Sequence, residues 1–263
     1  MTNRFVAQIE ALKNREKGAF DAAIAILLSE EGSSHERMEL GAALGKAGDP
    51  RLTFPNQDAY WKIVNLGYTQ LLVATFPVTI KEWFVFIEGD QYKNDEFWSA
   101  DGLAWRDGDR PSWNDLASSP AVTHLVIDNH PVVGVSWYEA EAYANAHGAR
   151  LPDFDERVDI IRGIEKRHYP WGSPFGHHNS NTKEEKLEQT SAVGIFQKDK
   201  IPEGVYDLVG NVAEWTGDIF EGKAVIHPGS WSQDMMSSWP KASKSLSPAA
   251  RLDNLGFRLV KDL

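Results

Sequence analysis

Apolar residues recur at helical spacing through the first fifty positions. Phe5, Ile9 and Leu12, then Phe20, Ile24, Leu27 and Leu28, keep the interval of three to four that one face of an amphipathic helix requires. Gly18 breaks that face into two segments, and Glu31-Gly32 ends it. Ser33 followed by Glu36 has the form of a capping box, so a second helix is expected to start there, carry Met38, Leu40 and Leu44, and stop at Gly48-Asp-Pro50. The pattern predicts a helical hairpin over residues 1–50, packed against the main domain or against a partner helix.

From Leu52 onward the texture changes to short apolar runs cut by Pro, Gly, Asn and Asp. Gln70 to Val78 reads as strand, and Thr79-Ile-Lys-Glu82 as the capped start of a helix through Trp83, Phe84 and Phe86. Residues 92–113 are rich in aromatics but hold neither period, and an ordered loop is expected. Ser136 with Glu139, and Asp153 with Glu156, repeat the capping box; Gly148 closes the first helix, while Phe154, Val158 and Ile161 share one face of the second. Beyond Pro170-Trp-Gly172, loops and short strands are expected to the C-terminus. Helices set among many short strands and long loops describe an α+β domain over residues 51–263, not a doubly wound one.

Composition narrows the function classes. Hydrophobic content of 42% and charged content of 25% are those of a globular chain, and 263 residues suffice for one large domain with a small appendage. Ten tryptophans and thirteen prolines point to an irregular, loop-rich core. No run has the length of a membrane span, and nothing apolar follows Met1-Thr-Asn-Arg as in a signal peptide, so a cytoplasmic protein is expected. The absence of cysteine excludes disulfides, thiolate metal sites and cysteine nucleophiles. A net charge of -11 argues against a phosphate-tracking surface and hence against nucleic acid. No glycine-rich loop follows a strand, which leaves dinucleotide or ATP binding without support.

The stretch richest in chemistry is Val205-Tyr-Asp-Leu-Val-Gly-Asn-Val-Ala-Glu-Trp215, where Asp207, Asn211 and Glu214 offer hard oxygen ligands around a turn at Gly210, as calcium requires. The same residues would also suit a plain turn, with Asp207 and Asn211 satisfying backbone amides and Glu214 facing solvent. Of the eight histidines, none shows the i, i+4 pairing of a metal-binding helix face. His177-His178 reads as a solvated loop pair, and His130 before Pro131 as a hydrogen-bonded scaffold residue. No Ser-His-Asp set can be singled out from sequence order.

The ordered series Phe76-Pro-Val-Thr79, His130-Pro-Val-Val-Gly-Val-Ser-Trp-Tyr138, Arg150-Leu-Pro152, Tyr169-Pro-Trp-Gly172, Asp207-Leu-Val-Gly-Asn-Val-Ala-Glu-Trp215, Gly229-Ser-Trp231 and Leu255-Gly-Phe-Arg258 resembles the formylglycine-generating enzyme, or sulfatase-modifying factor, family. The resemblance implies a loop-rich C-type-lectin-like fold, with the Pro-Trp-Gly and Gly-Phe-Arg elements as scaffold. It places one structural calcium on the side chains of Asp207 and Glu214 and the carbonyls of Gly210 and Val212. A second would fall at Asn181 and Thr182, with an acidic partner among Glu184, Glu185 and Glu188. It also implies copper held by two cysteines, but the matching positions are Gln233 and Ser238, and neither an amide nor a hydroxyl holds copper(I) as a thiolate does. Formylglycine generation, and copper as a cofactor, are therefore not expected.

The frame Gly229-Ser-Trp231, Pro248, Arg251 and Leu255 to Val260 is also similar to that of diversity-generating retroelement variable proteins, which present this segment as a ligand-binding face. That similarity nominates Trp231, Ser232, Gln233, Asp234, Met236, Ser237, Trp239, Ala242, Lys244, Ser245, Leu246, Ser247, Ala250, Leu252, Asp253 and Asn254 as contact positions for a protein or peptide ligand. Small polar residues, methionines and Trp239 mix hydrogen bonding with adaptable apolar area. Adenine-directed mutation of asparagine codons ending in a pyrimidine cannot yield Gln233, Met236 or Lys244, which counts against diversification. The leading expectation is a non-catalytic, calcium-stabilised binding module, its N-terminal hairpin resembling helical segments that precede such domains in multidomain bacterial proteins. Two alternatives are an enzyme using another metal or an organic cofactor, with Trp231, Gln233, Ser238, Arg251 and Arg258 around its pocket, and a structural subunit with a closed pocket.

Overall fold

The computed structural model describes residues 2–108, 111–119, 123–176 and 178–263. The N-terminal pattern folds as three helices, α1 (Asn3–Lys13), α2 (Ala19–Leu28) and α3 (Ser34–Ala47). The expected hairpin gains its extra element because α1 stops at Lys13, Arg15 turns to φ 53°, and Gly18, at φ 77°, starts α2 afresh. Ser33 and Glu36 form the capping box in both directions at the start of α3. Phe5, Leu12, Leu27, Leu40 and Leu44 bury their apolar faces together with Leu187, Ala192, Ile195 and Phe196 from a long loop of the main body. Packing against the main body, one of the two arrangements open from the sequence, is the one adopted. Asn129 fastens the junction by donating to the Gly41 carbonyl (2.9 Å) and to Asp49 (2.8 Å).

The main body holds two small sheets. In the first, β1 (Trp61–Asn65) and β2 (Gln70–Ala74) form an antiparallel pair, and β7 (Val260–Asp262) joins β2 with Val73 opposite Val260. The second has the order β5-β4-β3-β6, from β3 (Ala213–Phe220), β4 (Lys223–His227), β5 (Lys244–Leu246) and β6 (Leu255–Gly256); only the β3–β6 contact is parallel. The predicted 70–78 strand stops at Ala74, yet Val78 still donates to the Phe257 carbonyl (2.9 Å), which keeps the run beside the C-terminal segment.

Between β2 and β3 the chain forms α4 (Ile80–Glu88), α5 (Ala100–Arg106), α6 (Trp113–Ala117), α7 (Trp137–Ala146) and α8 (Phe154–Arg162). Capping boxes start α4, α7 and α8 at Thr79, Ser136 and Asp153, as their spacing predicts. The ordered loop expected over 92–113 needs correction, since it contains α5 and leads into α6. Seven and five residues are too few to display a 3.6 period, and Ser112 is answered by Asp115 in place of Glu or Gln. The core these helices share with both sheets is aromatic: Trp83 meets Phe86, Tyr143, Trp113 and Phe257 at ring separations of 5.3–6.3 Å. Among the described residues no helix is long and apolar enough to cross a membrane.

Candidate ligand-binding face

The turn that leads into β3 is held from three directions. Asp199 accepts from the amides of Leu208 (3.0 Å), Val209 (3.0 Å) and Gly210 (3.2 Å). Asn211, at φ 68°, accepts from the Ser191 amide (2.9 Å) and returns a bond to the Ser191 carbonyl (3.1 Å). Gly210 is fixed by close approach, because a Cβ there would lie 2.3 Å from Ser180 Oγ and 2.4 Å from the Asn181 carbonyl oxygen. Nothing in the local sequence around Asp199 announces its role, and sequence reasoning missed it.

Glu214 does not face solvent. Its carboxylate is buried between Arg157, whose Nε donates at 2.7 Å, and Arg258, whose Nε and Nη2 donate at 2.9–3.0 Å and 2.8 Å. The Nη2 groups also tie back to the turn, Arg157 to the Leu208 carbonyl and Arg258 to those of Tyr206 and Asp207, all at 2.9 Å. Burial pushes the Glu214 carboxyl up, but the two guanidiniums outweigh it and hold it at about 2. Burial, and then the charge of Asp199, push the Asp207 carboxyl up to about 7. Its Oδ2 accepts from the Gly194 amide at 2.8 Å.

These donors do not fit the calcium set Asp207, Gly210, Val212 and Glu214. Glu214 is already paired with both buried guanidiniums, and Asp207 accepts from the Gly194 amide with its carboxyl pushed toward the neutral form, so a divalent ion would have to displace existing partners. The Gly210 carbonyl accepts from the Val212 amide at 2.9 Å. Around the second set, the described residues gather no cluster of three acidic or histidine side chains. Asn181 Nδ2 donates to the Gln189 carbonyl (3.0 Å) and leaves Oδ1 without a protein partner. Of the acids that would join Asn181 and Thr182, Glu185 binds Ser34 and His178, Glu188 points outward, and Glu184 accepts from the Met235 amide through Oε1 alone.

The nominated contact positions all lie at the surface or partly so, from Trp231 to Asn254, with Met236 the most open at 74%. Trp231 is pinned by its amide to the Asn211 carbonyl (3.1 Å), and Gly229 lies so close to Val209 that a Cβ would sit 2.1 Å from its oxygen. Asn254 donates to Ser232 Oγ at 2.7 Å, which joins the two ends of the face, and Gln233 lies alongside with Nε2 3.5 Å from the same hydroxyl. Asp234 accepts from the Ser237 amide (2.9 Å), and Ala242 donates to the Trp239 carbonyl (2.7 Å). Lys244, Ser245 and Leu246 form β5, at the opposite edge of the sheet from β6. Three strand spacings separate them, roughly 14 Å, so the face is as wide as a protein contact and wider than a small-molecule pocket. Ser247, Ala250, Leu252 and Asp253 lie on the return segment, where Leu252 accepts from the Gly134 amide (2.9 Å).

The pocket of the enzyme alternative is not assembled. Arg258 is buried in the Glu214 cluster, and Arg251 donates through Nε to Glu139 (3.1 Å) and through Nη1 to the Pro111 carbonyl (2.8 Å). Of its five residues, Trp231, Gln233 and Ser238 stay in one loop, and Ser238 is fully buried with its hydroxyl unpartnered. His130 has the expected scaffold role, with Nδ1 2.9 Å from Thr190 Oγ1 and its ring pushed down to about 3 by burial. His227 is likewise pushed to about 3, by burial and then the Arg157 charge, and its Nε2 has no protein partner. His178 is exposed beside Glu185, while His177 lies outside the described residues. Among the described residues no three His, Asp or Glu side chains gather to hold a metal ion.

Two small sheets, a buried Arg–Glu–Arg cluster and long displayed loops define a scaffold of the formylglycine-generating-enzyme type, with C-type-lectin-like character. The chain belongs to the sulfatase-modifying factor enzyme 1-like family, whose domain matches residues 48–263. Among its relatives, the inactive C-alpha-formylglycine-generating enzyme 2 of Bos taurus is 28% identical over 227 residues, which cover 71% of this chain and 75% of the bovine protein. The formylglycine-generating enzyme of Mus musculus is 36% identical over 131 residues, 44% of this chain, and the match spans only 32% of the mouse enzyme. PvdO from Pseudomonas aeruginosa superposes with a TM-score of 0.55 at 21% identity, covering 74% of this chain and 81% of PvdO. Treponema denticola variable protein 1 does so with a TM-score of 0.51 at 16% identity, covering 77% and 91%. At those identities the two structures speak to fold alone.

Proposed function

We propose that the chain is a non-catalytic binding module that takes a protein or peptide ligand on the surface formed by residues 231–254. The observation that carries this reading is the contrast between an accessible, mixed polar and apolar face and a frame beneath it locked by Arg157, Glu214 and Arg258. A fixed frame under variable-looking side chains suits recognition, since ordering costs are met before the ligand arrives. Gln233 and Ser238 at the copper positions support a module without the family chemistry, as does similarity to a bovine protein named inactive. The fold shared with a Treponema variable protein supports the use of this segment as a display surface.

The test is peptide-phage selection on the immobilised chain, followed by affinity measurements on Met236→Asp and Leu252→Asp. Both side chains are exposed, at 74% and 39%, so the melting temperature should stay within about 2 °C of the parent. At least one substitution should weaken the selected peptides about tenfold or more. Peptides that bind both variants as tightly as the parent would overturn the proposal.

A further inference from the structure

Trp239 stands edge-on to two rings, His168 at 5.3 Å and 89° and Tyr169 at 5.5 Å and 86°. Tyr169 is stacked flat on Trp171 at 5.0 Å and 4°, so its plane is fixed from behind. Sequence reasoning took Tyr169-Pro-Trp-Gly172 as scaffold; the fold makes Tyr169 one wall of a surface cavity of about 380 Å³, closed by Trp239, Met235 and Met236. The two ring planes meet as a corner, and the methionines, 40% and 74% exposed, supply a movable third side of polarisable thioethers.

A carboxylate adjoins this corner. Glu184 Oε1 accepts from the Met235 amide at 2.9 Å, while Oε2 is buried and has no protein partner. Burial and then the Glu184 charge hold the Tyr169 phenol above its ordinary value, which places the carboxylate within electrostatic reach of the ring. The cavity is thus aromatic and apolar in its own lining with an acidic neighbour beside it, and a cation is the charge that neighbour attracts. An anionic ligand would meet the Glu184 charge and a chain of net charge -11, and a purely apolar one would leave the neighbouring charge unused.

We infer that this corner receives an organic ammonium group on an apolar stem, the side chain of a lysine or methylated lysine of the ligand. The inference rests on the ligand-face reading above. The aromatic walls suit the cation by their quadrupoles, the methionines line the methylene stem, and Glu184 adds its charge from beside the cavity.

The experiment follows the Trp239 indole signal of the ¹⁵N-labelled full chain, assigned with Trp239→Phe, during titration with three probes. These are the N-acetyl methylamides of trimethyllysine, lysine and norleucine, the last keeping the stem without the ammonium. Both cationic probes should move the Trp239 signal and bind roughly tenfold more tightly than norleucine. Glu184→Gln should shrink that difference to less than about twofold while leaving the Met235 contact an acceptor and the melting temperature unchanged. Equal binding of norleucine, an unshifted Trp239 signal, or an undiminished preference in Glu184→Gln would each overturn the inference. Those outcomes leave the ligand face standing, because that reading is decided separately by the selected peptides on Met236→Asp and Leu252→Asp.

Discussion

Replacing Glu214 by glutamine keeps the shape of the side chain and removes the charge that Arg157 and Arg258 share. The carboxyl is held at about 2 against an ordinary 4.5, a difference of about 2.5 units. At about 1.4 kcal/mol per unit this amounts to about 3 kcal/mol, in line with the ~3–5 kcal/mol for breaking a buried ion pair from one side. For a chain of this size each kcal/mol shifts the melting temperature by ~2–4 °C, so Glu214→Gln should melt about 6–12 °C lower. The pH dependence has a definite sign. A depressed folded-state value gives stabilisation that is complete above about 4.5 and is lost as pH falls toward about 2, so the gap between parent and variant should close in acid. Calorimetry at pH 7 and in the acid range, with and without chelator, measures all three quantities. A variant within about 2 °C of the parent would refute the ion-pair argument. A chelator that lowers the melting temperature of the parent but not of Glu214→Gln would return Glu214 to calcium.

Glu82, buried in the capping box of α4, has its carboxyl pushed up to about 7 by burial, so its stabilisation is full below about 4.5 and is lost as pH rises through 7. Parent stability should fall between about pH 4.5 and 7, and Glu82→Gln, which can still cap, should reduce that slope while Asp207, also pushed up to about 7, keeps its share; identical slopes in thermal melts would contradict it. Gly210→Ala drives a methyl into Ser180 Oγ and the Asn181 carbonyl and should cost ~1–3 kcal/mol or more, read from denaturant midpoints, with an unchanged midpoint as the contrary result. With copper and a cysteine-containing peptide the chain should form no aldehyde above a no-protein control, and mass-spectrometric turnover would count against the non-catalytic assignment.

Local signals carried much of the fold. The capping boxes at Ser33, Thr79, Ser136 and Asp153 are spelled within four residues each, and each starts the helix it predicts. The same locality made Asn211 legible as a turn residue. What could not be read was long-range: Arg157 and Arg258 reach Glu214 across 57 and 44 positions, and no spacing rule links them. A carboxylate that looked like a calcium ligand thus turned out to be the centre of an ion-pair cluster. Tyr169 was hidden for a related reason, since its neighbours in sequence are scaffold while Trp239 arrives from seventy positions away.

The apolar cluster shared by α1–α3 and the 187–196 loop has a bearing on how this chain can be divided. Family similarity starts at residue 48, but a cut there would strip the cover from Leu187, Ala192, Ile195 and Phe196 and release Asn129 from Gly41. The edge of the family match is therefore not a seam in the folded molecule. Anyone grafting the 231–254 face onto another chain should move the N-terminal helices with it, because the loop they cover runs directly into the Ser191–Asn211 clasp beneath Trp231.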